Sequence, residues 1–321
     1  KKGKDILNEH PNSIHSAVTM SDDSKNVSEL AACIIDESAP VAKRIQCAFL
    51  LRNNVGGEKA IDALQPGLKS PSVLLAHEIA YLLGQMGDEY AIPGLTSTLE
   101  NMSLDPIVRH EAAEALAAIG AEESYPVLVK FCDDPHIEVS DTCKISVERI
   151  EWRKVNPELS AAEKTASHFH SVDPAPGHAE ETAEKSIPEL QDILLNEKLS
   201  LFKRYQAMFK LRNLGDEEAI KALCTGFKDR SAVFRHEVAY VLGQLQHPAA
   251  VEALTEVLKD LKEHAMVRHE AAEALGAITH DSCQPLLEAF QKDQDKIVSE
   301  SCDVALSTAQ YWDEFDNAST E

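Results

Sequence analysis

The nonapeptide VRHEAAEAL occupies residues 108–116 and recurs letter for letter at residues 267–275. A second pair of segments has the same offset of 159 residues, since HEIAYLLGQ at 77–85 is nearly identical to HEVAYVLGQ at 236–244. Similarity at a fixed offset is the signature of a repeat architecture. The stretch that carries the His-Glu pair therefore also indicates that the chain is an internal duplication.

This duplication predicts two halves, residues 26–153 and residues 186–312. Within each half, two His-Glu pairs stand 33 residues apart, which indicates a shorter period. Apolar residues in PSVLLAHEIAYLLGQMGD, residues 71–88, recur at the i, i+3, i+4 and i+7 spacing of an amphipathic helix. Paired helices at this period predict an all-α fold, a HEAT-like α-solenoid of about eight helical hairpins in two pseudo-symmetric halves.

The halves are predicted to be joined by a flexible linker, residues 154–185. This segment is rich in Ala, Glu, Ser, Pro and His and has hardly any hydrophobic stripe, a composition typical of linkers. Three histidines within it are interpreted as surface residues rather than metal ligands: His168, His170 and His178.

Both ends of the chain fall outside the repeats. Residues 1–25 are interpreted as an N-terminal extension that lacks the sustained apolar core of a secretory signal. Met20 is a candidate start of the native chain, with residues 1–19 as an addition. Residues 313–321 are interpreted as a C-terminal tail.

The charge balance narrows the range of partners. Lys and Arg total 31 against 54 acidic residues, a formal net charge of −23. Such a surface repels phosphate backbones, which argues against nucleic acid, and it either attracts a basic partner or simply aids solubility. No apolar run approaches the roughly 20 residues that a membrane span requires, so no membrane association is expected.

Cysteine usage indicates a reducing compartment, and we expect the protein to be cytoplasmic. The number of cysteines is odd, their spacing is irregular and no CxxC pair occurs, which argues against a disulfide framework or a zinc knuckle. The seven are Cys33, Cys47, Cys132, Cys143, Cys224, Cys283 and Cys302.

Four His-Glu pairs occur in register, in the two central units of each half: His77-Glu78, His110-Glu111, His236-Glu237 and His269-Glu270. The last units carry Ser140-Asp141 and Ser299-Glu300 at the matching place, and the leading units carry Lys43-Arg44 and Lys203-Arg204. One such pair alone is best explained as an exposed polar step with a neighbouring arginine as its partner. Four pairs in register favour a shared function, because His and Glu are poor core formers.

Imidazole and carboxylate together suit iron, manganese or zinc, and two His with one carboxylate are typical of non-haem Fe(II) oxygen chemistry. Because neighbouring solenoid helices run about 10 Å apart, one metal is predicted between His77, His110 and Glu111. The duplication predicts a second metal site, formed by His236, His269 and Glu270.

Glu78 and Glu237 would lie beside these sites and bridge, form hydrogen bonds or bind an amine. Glu114 and Glu273, at i+4 from a histidine, are rival ligands on the same helix face. The other two pairs have tyrosine at that place, so the i+1 glutamate is favoured. The HExxH arrangement of zinc proteases is absent.

With HEVAYVLGQ and VRHEAAEAL as they stand, the sequence resembles the deoxyhypusine hydroxylase family over roughly residues 26–312. The resemblance implies a HEAT-repeat, non-haem di-iron monooxygenase with two Fe(2+) ions per chain and O2 as co-substrate. The implied substrate is the basic protein translation initiation factor 5A, whose deoxyhypusine side chain is hydroxylated to complete hypusine, a post-translational modification. The implied metal-site residues are His77, Glu78, His110, Glu111, His236, Glu237, His269 and Glu270.

An acidic cleft independently suits a long, polyamine-like cation. Three other functions stay open at this point: a non-catalytic HEAT-repeat scaffold that binds a protein, a di-metal hydrolase that uses the same ligands, and a metal-free enzyme of the HEAT-like bilin lyase type. Iron content and dependence on O2 distinguish these functions from the oxygenase.

Overall fold

The structure is a computed structural model that describes residues 27–160, 169 and 171–318. Every regular element in these residues is helical, which confirms the all-α prediction. None of their helices combines the length and the apolar content that a membrane span requires.

The first half contains helices α1 (Val27–Ile35), α2 (Val41–Leu50), α3 (Gly57–Leu64), α4 (Val73–Met86), α5 (Ile92–Glu100), α6 (Pro106–Ile119), α7 (Tyr125–Lys130) and α8 (Ile137–Val155). A short helix, α9 (Glu180–Ala183), precedes the second half. The second half contains α10 (Ile187–Leu194), α11 (Leu201–Leu214), α12 (Glu217–Cys224), α13 (Ala232–Leu245), α14 (Val251–Lys259), α15 (Ala265–Ile278), α16 (Cys283–Phe290) and α17 (Lys296–Ala318).

These helices form the eight predicted hairpins, and the second helix of each hairpin packs on the second helix of the next. The stack does not end at the boundary between the halves. Helix α8 packs against α11 and α13, and α17 packs against α2 and α4. The two halves therefore close into a ring that is lined by the second helices of the hairpins.

Two equivalent hydrogen bonds connect the two halves where the ring closes. The Ser72 hydroxyl donates to Glu300 Oε2 at 2.6 Å, and the Ser231 hydroxyl donates to Asp141 Oδ2 at 2.9 Å. Ser72 corresponds to Ser231, and Asp141 to Glu300, by the 159-residue offset. The last unit of each half has an acidic residue, Asp141 or Glu300, where the central units have the glutamate of a His-Glu pair. This acidic residue therefore joins the halves.

Four buried arginines fix the hairpins in a repeated way. The Nε–H of each donates to a carbonyl oxygen ten residues earlier, at or near the end of the preceding helix, which satisfies one of the exposed carbonyl groups of a helix C-terminus. Three of them also pair with an aspartate 25 residues later. The arginines are Arg44, Arg109, Arg204 and Arg268, and the aspartates are Asp134, Asp229 and Asp293.

This shared geometry corrects two expectations. Arg109 and Arg268 are buried in the hairpins and pair with aspartates, so the interpretation of the His-Glu pairs as exposed steps with arginine partners is wrong. Arg44 and Arg204 are equivalent to Arg109 and Arg268, which precede a histidine. The Lys-Arg pairs of the leading units therefore stand two residues before the place of the His-Glu pairs, directly ahead of it.

Part of the predicted flexible linker is packed. We call residues 171–179 the strap; its Ala175 and Ala179 are fully buried, and a Cβ on Gly177 would lie 2.7 Å from the backbone of Phe209. The prediction of a loose tether is wrong for the strap, because its small residues allow close contact with helix α11. Composition alone does not distinguish such packing from solvation.

Among the linker histidines, His178 is half-buried, with its ring 6.2 Å from Trp152 and its Nε2 3.0 Å from the Leu159 carbonyl oxygen. It is therefore a packing residue rather than a surface residue. His168 and His170 lie outside the described residues.

Candidate metal centre

The four His-Glu pairs lie on helices α4, α6, α13 and α15, which line the ring. All eight side chains are buried, with at most 7% of any residue exposed. Such burial at the centre of the ring of helices is unusual for His and Glu, which are rarely buried without partners. The structure thus brings all eight predicted site residues into one region.

Local sequence signals position these helices. The Ser72 side chain accepts a hydrogen bond from Leu75 N at the start of α4, and Asp105 caps α6 in the same way. Gly84 of α4 faces Ala115 of α6 so closely that a Cβ on the glycine would lie 2.7 Å from the Ala115 Cα. This small-residue crossing holds the helices that carry His77 and His110 close together.

The four imidazole rings form one cluster across the interface between the halves. Within the halves, the ring centroids are 5.7 Å apart for His77 and His110 and 5.4 Å apart for His236 and His269. Between the halves, His77 lies 5.2 Å from His269 and His110 lies 5.5 Å from His236. Neither half alone contains this arrangement.

Carboxylates approach the ring nitrogens in equivalent positions. Glu111 Oε2 lies 3.2 Å from His77 Nε2 and 3.7 Å from His110 Nε2. In the second half, Glu270 Oε2 lies 3.4 Å from His236 Nε2, and His236, His269 and Glu270 offer ligand atoms within 4.8 Å of one another. The groupings predicted from the sequence are therefore close enough to share a metal, and ligation itself stays a prediction.

Several buried atoms support this interpretation. Within the described part of the chain, His110 Nε2, His269 Nε2 and Glu237 Oε1 are buried and form no hydrogen bond. A buried polar group without a partner costs about 1–3 kcal/mol, which a bound cation would offset. Imidazole nitrogen with carboxylate oxygen is a donor set that fits Fe, Mn or Zn.

The protonation of the cluster is uneven. Burial holds the pKa values of His110, His236 and His269 well below the ordinary range, which leaves neutral rings. Burial lowers the pKa of His77 as well, but the Glu111 and Glu78 carboxylates outweigh this effect and raise it. A divalent cation bound here would displace the proton from His77.

The rival ligands Glu114 and Glu273 are equivalent in sequence but differ in environment. Glu273 Oε1 accepts a hydrogen bond from Ser301 at 2.8 Å and lies 3.6 Å from His269 Nδ1, the nitrogen opposite Nε2. A carboxylate in this position faces the back of the ring rather than the metal side. Glu114 lines the central cavity, where burial and Glu111 raise its pKa to about 8, and its ligand atom lies within 4.8 Å of those of His110 and Glu111.

The cluster adjoins a small cavity of about 20 Å³. Tyr81 and Tyr240 line it, as do Gln85 and two strap residues, Val172 and Pro174. None of these was expected to be functional. The sequence does indicate the position of the tyrosines, since both follow a site histidine by four residues. Nothing in the strap sequence indicates that it lines the cavity.

Comparison with known proteins agrees with the fold. The family model for HEAT repeats matches residues 61–144, 187–262 and 220–307. Deoxyhypusine hydroxylase of Danio rerio is 45% identical over 287 residues, 89% of this chain and 92% of that protein. Deoxyhypusine hydroxylase-B of Oryza sativa subsp. japonica is 48% identical over 281 residues, 87% of this chain and 90% of that protein.

A solved structure is similar over the same length. The structure of human deoxyhypusine hydroxylase in complex with glycerol has 45% sequence identity and a TM-score of 0.84, and it covers 89% of this chain and 96% of that chain. Sequence and fold agree over most of both molecules, and the resemblance seen in the repeated His-Glu segments is confirmed. The chain belongs to the deoxyhypusine hydroxylase family.

Proposed function

We propose that this protein is a deoxyhypusine monooxygenase, which uses a non-haem di-iron centre and O2 to hydroxylate the deoxyhypusine side chain of translation initiation factor 5A. One observation supports the proposal most directly. Four histidines from the two halves converge into one buried cluster, and carboxylate oxygens lie close to their ring nitrogens. Family membership supports it. We place the reaction in the cytoplasm, as the cysteine pattern led us to expect.

In this proposal, one Fe(2+) is held by His77, Glu111 and His110, and the other by the equivalent set in the second half, His236, Glu270 and His269. Iron at these positions would bind O2 and supply electrons that reduce it, and one oxygen atom of O2 would be transferred to the substrate.

The remaining side chains prepare the site. Glu237, with a buried carboxylate oxygen facing the cavity, and Glu78 accept hydrogen bonds from the ammonium groups of the substrate chain. Thr142 Oγ1 lies 3.3 Å from His110 Nδ1 and orients this ring from behind, whereas Glu273 Oε1 lies 3.6 Å from His269 Nδ1 without a hydrogen bond. Burial of the cluster excludes water from the reacting atoms.

The overall charge serves the encounter with the substrate. A net charge of −23 attracts a basic protein and increases the association rate at low ionic strength. Raising the salt concentration should therefore slow association.

The test is metal analysis of the purified full chain together with a hydroxylation assay on deoxyhypusine-containing initiation factor 5A, with and without O2. We expect two irons per chain and hydroxylation only when O2 and a reductant are present. The variants His110→Ala and His269→Ala should lose iron and activity, whereas His280→Ala, at an exposed position outside the cluster, should keep both. Zinc with O2-independent hydrolysis would indicate a di-metal hydrolase, and a chain without stoichiometric metal or turnover would indicate a scaffold.

A further inference from the structure

The strap forms one wall of the cavity beside the histidine cluster. Val172 and Pro174 line this cavity together with His77 and Glu237, which stand on opposite halves of the ring. The strap wall is apolar, whereas the ring supplies carboxylates and imidazoles. A substrate chain in the cavity would therefore meet alkyl groups on the strap side and charged groups on the other.

The first half holds the strap by a pair of hydrogen bonds. The backbone N–H of Val172 donates to Gln85 Oε1 at 2.8 Å, and Gln85 Nε2 donates to the Val172 carbonyl oxygen at 3.4 Å. Gln85 belongs to helix α4, which also carries His77 and Glu78. The wall is thereby fixed to the helix that supplies part of the cluster.

The second half holds the neighbouring strap residue. The Arg212 guanidinium donates two hydrogen bonds to the Asp173 carboxylate, at 2.7 and 2.6 Å. Arg212 also donates to Gln244 Oε1 at 2.8 Å, and Gln244 Nε2 donates to the hydroxyls of Ser171 and Tyr240. Consecutive strap residues are thus bonded to opposite halves.

The closed cavity does not have room for a substrate. Its volume of about 20 Å³ corresponds to roughly one water molecule. A cleft of about 830 Å³ adjoins the strap, and Gln85 and Val172 line it as well. Displacement of Val172 would join the two spaces.

We propose that the strap is the substrate gate of the centre and that its residues Val172 and Pro174 select the side chain that enters. The alkyl part of an extended cation passes from the cleft into the cavity when the Gln85 and Asp173 contacts open, and it packs against Val172 and Pro174 when they close. This proposal rests on the proposed function and deepens it by assigning the contact surface for the methylene groups.

The gate is tested with Gln85→Ala and Asp173→Asn in the full chain, with Glu217→Gln as the matched control because Glu217 pairs with Lys221 on the surface. The readout is carbethoxylation of the cluster histidines by diethyl pyrocarbonate after removal of metal, mapped by peptide mass spectrometry with the exposed His280 as internal reference. We expect His77 and His236 to react at least tenfold faster in the gate variants and unchanged in the control. Equal carbethoxylation rates of His77 and His236 in the wild type, the gate variants and the control would contradict the proposal that the strap is a gate.

Selection is tested with Val172→Phe, which narrows the entrance. We expect the KM for deoxyhypusine-containing initiation factor 5A to rise at least tenfold while the iron content and kcat change little. An unchanged KM would refute the role of Val172 in selection. If no variant and no wild-type protein hydroxylates this substrate, the proposed function fails, whereas the histidine reactivity still decides whether the strap is a gate.

A second observation concerns the first hairpin, which helices α1 and α2 form. The Sγ atoms of Cys33 on α1 and Cys47 on α2 are 2.8 Å apart; Cys47 is buried and Cys33 is partly exposed. The second half has Ile193 and Ala207 at the positions that the arginine register makes equivalent. The cysteine pair is therefore specific to the first half and is not a feature of the repeat.

We infer that Cys33 and Cys47 form a site of reversible oxidation. Hydrogen peroxide oxidises the Cys33 thiol to a sulfenic acid with release of one water, and the Cys47 thiol then attacks this sulfur, forming the S–S bond and releasing a second water. The two thiols together lose two electrons and two protons. A thiol reductant reverses the reaction.

The test is treatment of the full chain with hydrogen peroxide, followed by intact mass and peptide mapping without reduction. We expect a mass loss of two hydrogen atoms, a Cys33–Cys47 crosslinked peptide and a higher thermal midpoint, because the bond restricts the unfolded chain. Cys33→Ser should abolish these changes, and Cys132→Ser, in a different hairpin, should not. A crosslink elsewhere, or oxygen addition without a crosslink, would contradict the assignment.

Discussion

The hydroxyl groups of Tyr81 and Tyr240 lie 3.0 Å apart, and this hydrogen bond joins equivalent positions on helices α4 and α13. Tyr240 also accepts a hydrogen bond from Gln244 Nε2 at 3.0 Å. Burial raises the pKa of both tyrosines, so both remain protonated. The pair connects the two halves at the wall of the central cavity.

Replacement of Tyr240 by Phe should destabilise the protein more than replacement of Tyr81. Tyr240→Phe removes the partner of Tyr81 and the acceptor of Gln244, so we expect a loss of about 1–3 kcal/mol in the free energy of unfolding, against about 1 kcal/mol for Tyr81→Phe. Urea denaturation measures both. Tyr90→Phe is the control, since its hydroxyl bonds to Asp62 at the surface; an equal effect there would refute the importance of the central pair.

Glu78→Gln and Glu237→Gln should weaken substrate binding more than iron binding. Each change removes a carboxyl acceptor for an ammonium group, and hydrogen bonds to charged groups contribute about 1.5–3 kcal/mol, so the KM should rise about tenfold or more. Iron per chain, measured by elemental analysis, should stay near the wild-type value. Glu270→Gln is the matched control and should lose iron; loss of iron from Glu78→Gln or Glu237→Gln would instead make these residues metal ligands.

Gly84→Ala should separate the helices that carry His77 and His110. The new Cβ would lie 2.7 Å from the Ala115 Cα, which is backbone and cannot move aside as a flexible side chain can. We expect a loss of about 1–3 kcal/mol in stability and reduced iron content. Gly94→Ala is the control, because the atoms nearest to its Cβ would all belong to the flexible side chain of Gln65; similar losses in both variants would contradict this explanation.

Acid should destabilise the hairpins through Asp134 and Asp293. Burial raises the pKa of each carboxyl, but hydrogen bonds from Arg109 and Arg268 outweigh burial and hold both pKa values below the ordinary range. Because the unfolded carboxyl has a pKa of about 3.9, the stabilisation is fully present above that pH and is lost as the pH falls through the folded values.

Urea denaturation between neutral and acid pH measures this dependence. Asp134→Asn should be less stable than wild type at neutral pH and should lose less further stability on acidification. The exposed Asp192→Asn should follow the wild-type curve. A wild-type acid dependence in Asp134→Asn would refute the role of this ion pair.

The sequence predicted the hairpins and the site residues because both follow from local, repeated signals. Apolar periodicity, the serine and aspartate caps and the shared offset of the His-Glu pairs are all visible without any long-range contact. The grouping of His236, His269 and Glu270 also followed from the sequence, since neighbouring repeats pack side by side. The strap was missed, because its Ala, Pro and Gly composition is that of a solvated linker.

By itself, then, the sequence determined the helical repeats, their duplication and the identity of the eight clustered side chains. Only the tertiary structure decided that the two halves close into a ring through Ser72–Glu300 and Ser231–Asp141, which places His77 5.2 Å from His269. It also decided that Glu273 lies behind a histidine while Glu114 faces the cavity. The physical reason is distance along the chain: periodicity reports which face of a helix is buried, whereas contacts between segments 90 or more residues apart depend on how the helices pack together.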